Sequence, residues 1–389
     1  MRFKGNRIGW GKILSLLILL LVVGLSGFGC IGIKSTPEGG SAAAIADSSL
    51  YVVPAFKVSG GLGCESRPTS GKLVAVDTSG NRLWETALET SGPARSALGC
   101  APATVPVAIY GTPAVAGDLV YVGGYNGLIY AVSSESRALR WVYPRQGNLQ
   151  SIVGGLVVAG GKIFFGCSDG KVYALDAVTG DKKWDFQTED KIWATPTVDG
   201  DTLYIGSLDK KLYALSTADG SKKWEFKTEG AITSSALVYD GTVYIGSFDR
   251  NLYAVGANDG ALRWKFMAEN WFWASPVVSD NTIYASCLDS KVYALDAGNG
   301  HKVAEFDLGN PVSSSPVVVD GSIVVASEEG KIYSIKNNQK RNLRDLGAKV
   351  YSSLCASKGV VYIHAGGETL YALDAETGAE LWTLSLISK

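Results

Sequence analysis

The sequence predicts an all-β fold: an eight-bladed propeller of four-stranded antiparallel blades, preceded by an N-terminal signal or anchor segment. Three observations carry this. The stretch GKVYALDAVTGDKKW at residues 170–184 returns as KKLYALSTADGSKKW at 210–224 and as RNLYAVGANDGALRW at 250–264. Its tyrosine recurs at Tyr173, Tyr213, Tyr253, Tyr293 and Tyr333, 40 residues apart, with looser copies at Tyr130 and Tyr371 and Val74 in the earliest slot. Each unit holds four short β-rich runs divided by Asp, Gly and Asn, and a period near 40 with four strands per unit is a propeller signature.

Within the unit 191–228, residues 193–198 form a short run of mostly small residues that includes Pro196. Residues 202–207 and 211–215 are apolar on both faces, and 223–227 alternate Trp224 and Phe226 with Lys223, Glu225 and Lys227. Strands apolar on both faces must be covered on both sides, which neighbouring blades do. Charge on every second residue marks the outermost strand. Pro196, Pro276 and Pro316 place the first run beside the central channel, because proline gives up a ladder donor.

The N-terminus is a different object. Arg2, Lys4, Arg7 and Lys12 precede an apolar run at 13–28, which ends Ser26-Gly27-Phe28-Gly29-Cys30. Charged start, apolar middle and small residues at the end make a signal segment at 1–30. Three fates fit it: lipidation at Cys30, an uncleaved membrane anchor, or plain secretion, all of which export the body. Residues 31–40 read as a linker and 41–389 as the propeller. The chain carries 36 basic and 37 acidic residues, a balance that argues against a nucleic-acid groove or a membrane-binding patch.

Blade one begins near Ser41 and carries two insertions, at about 54–70 and between Trp84 and Pro113. They contain Cys64 and Cys100. A disulfide between these two suits an exported protein, and two free thiols are the alternative. Cys167 and Cys287 occupy a slot that Ser207 and Ser247 fill elsewhere, and Cys355 replaces a leucine or valine of an inner strand as a small core residue. Neither His301 nor His364 lies in a cluster of ligand residues, so no metal site is expected.

Residues 174–184 and 372–382 match A-x-D-x-x-T-G-x-x-x-W at every fixed place. This resembles the tryptophan-docking repeat of quinoprotein alcohol dehydrogenases and of the PQQ-like propellers related to them. The resemblance spans residues 41–387. It implies that Trp84, Trp141, Trp184, Trp224, Trp264 and Trp382 staple adjacent blades, with weaker fastening at Ala304 and Arg344, where tryptophan is missing. It does not carry the enzyme with it. Those dehydrogenases use adjacent cysteines and a calcium beside the quinone, whereas no two cysteines here are adjacent. No PQQ cofactor is expected, and Asp169, Asp209, Asp249 and Asp289 read as turn residues. An exported, lipid-tethered ring is most similar to the outer-membrane assembly lipoproteins of the BamB type. That likeness implies a monomeric, non-catalytic scaffold binding envelope proteins, barrel-assembly components among them. The alternatives are a PQQ-dependent oxidoreductase and a ligand- or carbohydrate-sensing propeller.

One constellation stands out. Aligned three places before the proline slot, the blades give Tyr110, Gln150, Trp193, Thr233, Trp273, Ser313 and Tyr351, aromatics alternating with smaller or polar residues. Trp271 and Phe272 add to the aromatic load, and Glu189, Glu229 and Glu269 lie just before three of these starts. Large and small residues taking turns for packing would explain the alternation. The functional reading is an aromatic pocket at the channel mouth with an acidic rim, binding a peptide, glycan or small ligand.

Overall fold

The computed structural model describes residues 41–46, 48–54, 71–88 and 108–387. Cys30, Cys64 and Cys100 lie outside these residues. The described chain forms eight four-stranded antiparallel sheets, each built from four strands in sequence order. Blade four shows the plan, with strands Thr197–Asp199, Thr202–Gly206, Lys211–Ser216 and Lys222–Lys227. Its second strand is buried throughout, whereas its fourth alternates and leaves its charges in solvent. The two-faced apolar pattern of the middle strands is thus satisfied by blades on either side, one hydrophobic cluster filling each joint.

The recurring aspartate and tyrosine form a clamp. Asp209 Oδ1 accepts the Lys211 N–H (2.9 Å), and Oδ2 accepts both the Tyr213 hydroxyl (2.8 Å) and the Glu189 N–H (3.0 Å). One carboxylate therefore closes its turn, holds the third strand and ties down the connection from the preceding blade. Asp249 repeats all three bonds. Burial and the aspartate raise the pKa of Tyr213, so the phenol stays a donor.

The tryptophans dock as the resemblance implied. Trp184 lies on Gly220 of the next blade and its Nε1–H donates to the Thr217 carbonyl (3.2 Å); Trp224 lies on Gly260 and donates to Ala257 (2.9 Å). The Ala257 carbonyl also accepts the Tyr204 hydroxyl, so both lone pairs serve one joint. Trp141 on Gly180 and Trp264 on Gly300 are the same device. Trp84 differs, because Arg137 (φ +58°) stands where its docking glycine would be. There, Thr86 Oγ1 donates to the Arg137 carbonyl (2.8 Å) and Trp84 packs into the joint cluster with Tyr51.

The ring closes by the same packing, without exchange of strands. Trp382 lies on Gly80 and donates to the Thr78 carbonyl (2.9 Å), while His364 Nδ1 meets the Ser41 carbonyl oxygen (2.8 Å).

Blade seven corrects the sequence alignment. Its last hairpin turns on Asn337-Asn338, both at positive φ, a two-residue turn in place of the longer loop of other blades. The shorter turn moves the bulge, so Ser334 pairs with Arg341 just as Ala174 pairs with Trp184. The tryptophan slot is therefore Arg341, not Arg344. Leu343 takes over the docking on Gly378, and Arg344 forms an ion pair with Glu380 (2.6 Å). In blade six Ala304 does occupy the slot. That joint is covered by Lys340, which reaches the Asp307 carbonyl and lies over the Tyr333 ring.

Candidate functional site at the channel mouth

Each first strand is only three residues long, and in blades four, six and seven it begins one residue after a proline, so Pro196, Pro276 and Pro316 stand just outside their strands. A residue without an N–H fits the entry to a ladder, where no pairing is asked of it. Trp193 and Trp273 consequently lie on the connecting segment that leads into the strand, not on the strand. Along this segment burial alternates: Ile192, Ile232, Phe272 and Val312 are fully buried between blades, and Trp193, Thr233, Trp273 and Ser313 are half-buried. Hydroxyls two places further on stitch neighbouring segments together. The N–H groups of Gly155, Ser235 and Ser275 donate to Thr195, Ser275 and Ser315, each 40 residues ahead.

This framework revises two expected members. Phe272 belongs to the joint, wedged against Gly246 in the position that Ile232 takes against Gly206, and is not part of the mouth. Gln150 is out of register. Ile152 packs on Gly123 as Ile192 does on Gly166, so the residue equivalent to Trp193 is Val153. The extra residues of this unit sit in the preceding connection, around residues 144–150, which shifts the count. With Val153 in place of Gln150, the alternation of aromatic and smaller residues still holds.

Phe248 and Tyr125 are the members that the sequence reading missed. Phe248 stacks on Trp271 (centroids 4.7 Å apart, planes 11° apart) and on Trp273 (5.4 Å, 20°). Tyr110 meets Tyr125 edge-on at 5.6 Å, and its hydroxyl is pushed up to about 12 by burial and then by Tyr125. Phe248 and Tyr125 lie two residues past the ends of their second strands, as Leu208, Leu288 and Glu328 do. That slot repeats at 40 residues in the sequence and was available as a signal. Tyr351 completes the aromatic set, with the Lys349 ammonium 6.0 Å from its ring.

The acidic rim is not assembled as expected. Glu189, Glu229 and Glu269 are exposed on the same face, but they lie over the third strand of the following blade. Glu189 pairs with Lys211 (2.5 Å) and Glu269 with Lys291 (3.7 Å), well out along the blade. The carboxyl at the mouth is Glu328. Burial raises its pKa, against the opposing pull of the Ser313 side chain and the Lys349 charge.

The cysteines that the structure describes are structural. Cys167 and Cys287 are buried, and their thiols donate to the Gln150 (3.3 Å) and Asn270 (3.2 Å) carbonyls, as the Ser207 hydroxyl does to Asp190. Burial pushes the Cys167 thiol up to about 12. An open cleft of about 490 Å³ on the outer edge, lined by Arg140, Trp141, Arg145 and Thr179, stands apart from the mouth, and Arg145 there is paired with Asp181 (2.6 Å).

Comparison with solved structures places the ring beside the crystal structure of BamB from Moraxella catarrhalis. That match has a TM-score of 0.66 at 17% identity, over 87% of this chain and 92% of that one. A computationally designed protein, Ika8, is similar in fold at TM-score 0.66 and 14% identity, over 86% and 95% of the two chains. No curated protein matches the sequence. The family model of the outer membrane protein assembly factor BamB matches residues 39–153, 69–237, 227–303 and 288–388, which together span the whole ring. The chain therefore belongs to the BamB family of PQQ-like propellers.

Proposed function

We propose that this protein is a non-catalytic scaffold of the cell envelope that binds other envelope proteins, assembly components for outer-membrane proteins among them where the cell has an outer membrane. The observation that carries the reading is the half-buried aromatic set at one rim of a BamB-family ring: Tyr110, Tyr125, Trp193, Phe248, Trp271, Trp273 and Tyr351. Exposed aromatics gathered on one face are the usual anchors of protein interfaces. The repeated carboxylates, meanwhile, are engaged in holding tyrosines and turns. The charged, apolar and small-residue succession at 1–30 supports export, and lipidation at Cys30 would hold the ring at the membrane.

Photo-crosslinking in cells tests the scaffold. A crosslinker placed at Phe248 or Tyr351 is expected to capture a discrete envelope partner, and one at exposed Val178 is not. Equal capture from both faces would reject the mouth as the docking surface. Cys30→Ser is expected to release the protein from the membrane fraction, and full retention would favour the uncleaved anchor.

A further inference from the structure

In blades two to seven the fifth residue of the second strand is small: Gly123, Gly166, Gly206, Gly246, Ser286 and Ala326. An apolar side chain of the next blade fills the space over each of the four glycines, as Ile232 does over Gly206. At the seam the side chain comes from the other partner. The second strand of blade eight, Val360–Ala365, carries His364 in that slot. Ser352 Oγ donates to its carbonyl (2.8 Å), as Ser234 does to that of Gly246 (3.1 Å). The imidazole is buried in the joint between two acceptors. Nδ1 lies 2.8 Å from the Ser41 carbonyl oxygen of blade one, and Nε2 lies 3.2 Å from Glu368 Oε2. Blade eight also lacks the aspartate clamp. Gly367 stands where Asp209 stands in blade four, and Glu368, one residue on, turns its carboxylate to His364 instead.

A carbonyl oxygen and a carboxylate both accept, whereas a neutral imidazole has one N–H to give. Nδ1–H serves the carbonyl, which leaves the Nε2 lone pair facing Glu368 unless a second proton lies between them. From this geometry we infer that a proton held between His364 and Glu368 latches the last joint of the propeller, so that closure of the seam is pH-sensitive. With the proton in place, Glu368 pins an imidazole whose bond to Ser41 is charge-assisted. Without it, Nε2 and the carboxylate repel each other in a buried site, and the imidazole turns away from Ser41. Closure takes up the proton, so it is favoured at lower pH and weakens as pH rises through the titration of the pair. The other titratable or charged side chains around the seam offer no such switch. Cys355 and Tyr362 of blade eight are raised by burial, the thiol to about 12, and stay neutral. Arg82 of blade one reaches the Ser385 and Leu386 carbonyls at the outer edge and is always charged. Lys349, whose carbonyl takes the Gly366 N–H (2.7 Å), has its ammonium over Tyr351 at the mouth. In the described residues 41–46 and 48–53 of blade one, Tyr51 is the one titratable side chain, and it packs into the next joint.

Hydrogen exchange of the full-length protein, corrected for the intrinsic pH dependence of exchange, tests the latch. Protection of residues 41–53 is expected to fall roughly tenfold between about pH 6 and about pH 8.5, for the loss of one charge-assisted bond, while the internal joint at 232–246 holds. Glu368→Gln should keep the seam protected across that range. Its amide N–H can donate to Nε2 of a neutral imidazole, so no added proton is needed. His364→Gln should also remove the slope, at lower overall protection. Nitrogen NMR of the histidines, with His301→Gln for assignment, should find both ring nitrogens of His364 protonated at about pH 5.5. Equal protection at both ends of the range, the same slope in Glu368→Gln, or a singly protonated His364 at low pH overturns the inference. A slope shared by residues 232–246 overturns it too, since the whole fold would then be responding.

Discussion

The six-membered ring of Trp184 occupies the space into which a Cβ on Gly220 would project, at 2.6 Å. Gly220 also holds φ at +75°, which side chains disfavour. Gly200 has the same left-handed backbone (φ +56°) with nothing within 4 Å of the added atom. The pair separates backbone strain from overlap. Gly200→Ala should cost roughly 1–2 kcal/mol, and Gly220→Ala about 1–3 kcal/mol more. Equal losses in denaturant titration would mean that the indole simply moves aside.

Two tryptophan truncations distinguish joint from mouth. Trp184→Ala empties a joint and should cost roughly 3–5 kcal/mol. Trp273 is half-buried, and Trp273→Ala should cost about 1–2 kcal/mol, since fewer of its atoms leave a packed environment. Comparable melting losses would make the mouth alternation a packing device and nothing more.

Ala304→Trp should not stabilise the ring, although it restores the repeat motif. The partner turn in blade seven is the two-residue Asn337-Asn338, so the glycine plate and the accepting carbonyl that serve Trp264 have no counterpart there. A gain of about 1 kcal/mol or more, a typical return for a successful consensus change, would show that this joint can be rebuilt from one side.

Acid should loosen the Asp249–Tyr253 clamp. Burial would raise the Asp249 pKa, but the Tyr253 hydroxyl, Asn251 and the Glu229 N–H outweigh it, and the net shift is downward. A depressed carboxyl stabilises the fold above its unfolded value near about 3.9, and that contribution is lost as pH falls through the folded value. Asp176, held down to about 2 first by the Thr179 N–H and next by Lys183, has the same sign. The melting temperature should therefore drop between about pH 4 and pH 2. Asp249→Asn should melt lower at neutral pH and show a shallower acid slope, and an unchanged slope would remove Asp249 from the account.

Mixed with pyrroloquinoline quinone and calcium, the protein should reduce no dye in the presence of an alcohol. Quinone-dependent turnover would replace the scaffold reading with an oxidoreductase.

Blade number, strand order and docking residues were legible because each is written several times at constant spacing. What was not legible lies where the count breaks. Gln150 was taken for Val153 because the extra residues of that unit sit in the connection, while the Tyr130-to-Tyr173 interval spreads them over the whole unit. Arg344 was taken for the tryptophan slot because the count from Tyr333 assumed the usual turn, whereas the two-residue turn and the shifted bulge leave this strand pair shorter than its counterparts. Phe272 was assigned to the mouth because alternation on an irregular segment shows no face until a neighbour such as Gly246 fixes one. Phe248 escaped because its role needs Trp271 and Trp273, which are distant in sequence and adjacent only across a joint.

The docking of Trp382 on blade one has an entropic side. Its bond to Thr78 spans 304 residues, whereas the equivalent Trp184 bond to Thr217 spans 33. Loop closure grows as the logarithm of length, so sealing the circle costs about 2 kcal/mol more than forming an internal joint of equal contact. Seven joints can form in succession as an arc while the eighth waits. The seam between Ser41 and His364 is therefore where the assembled circle is expected to breathe first, and stitching the described ends together into a circular permutant would move that seam to another joint without altering a single blade.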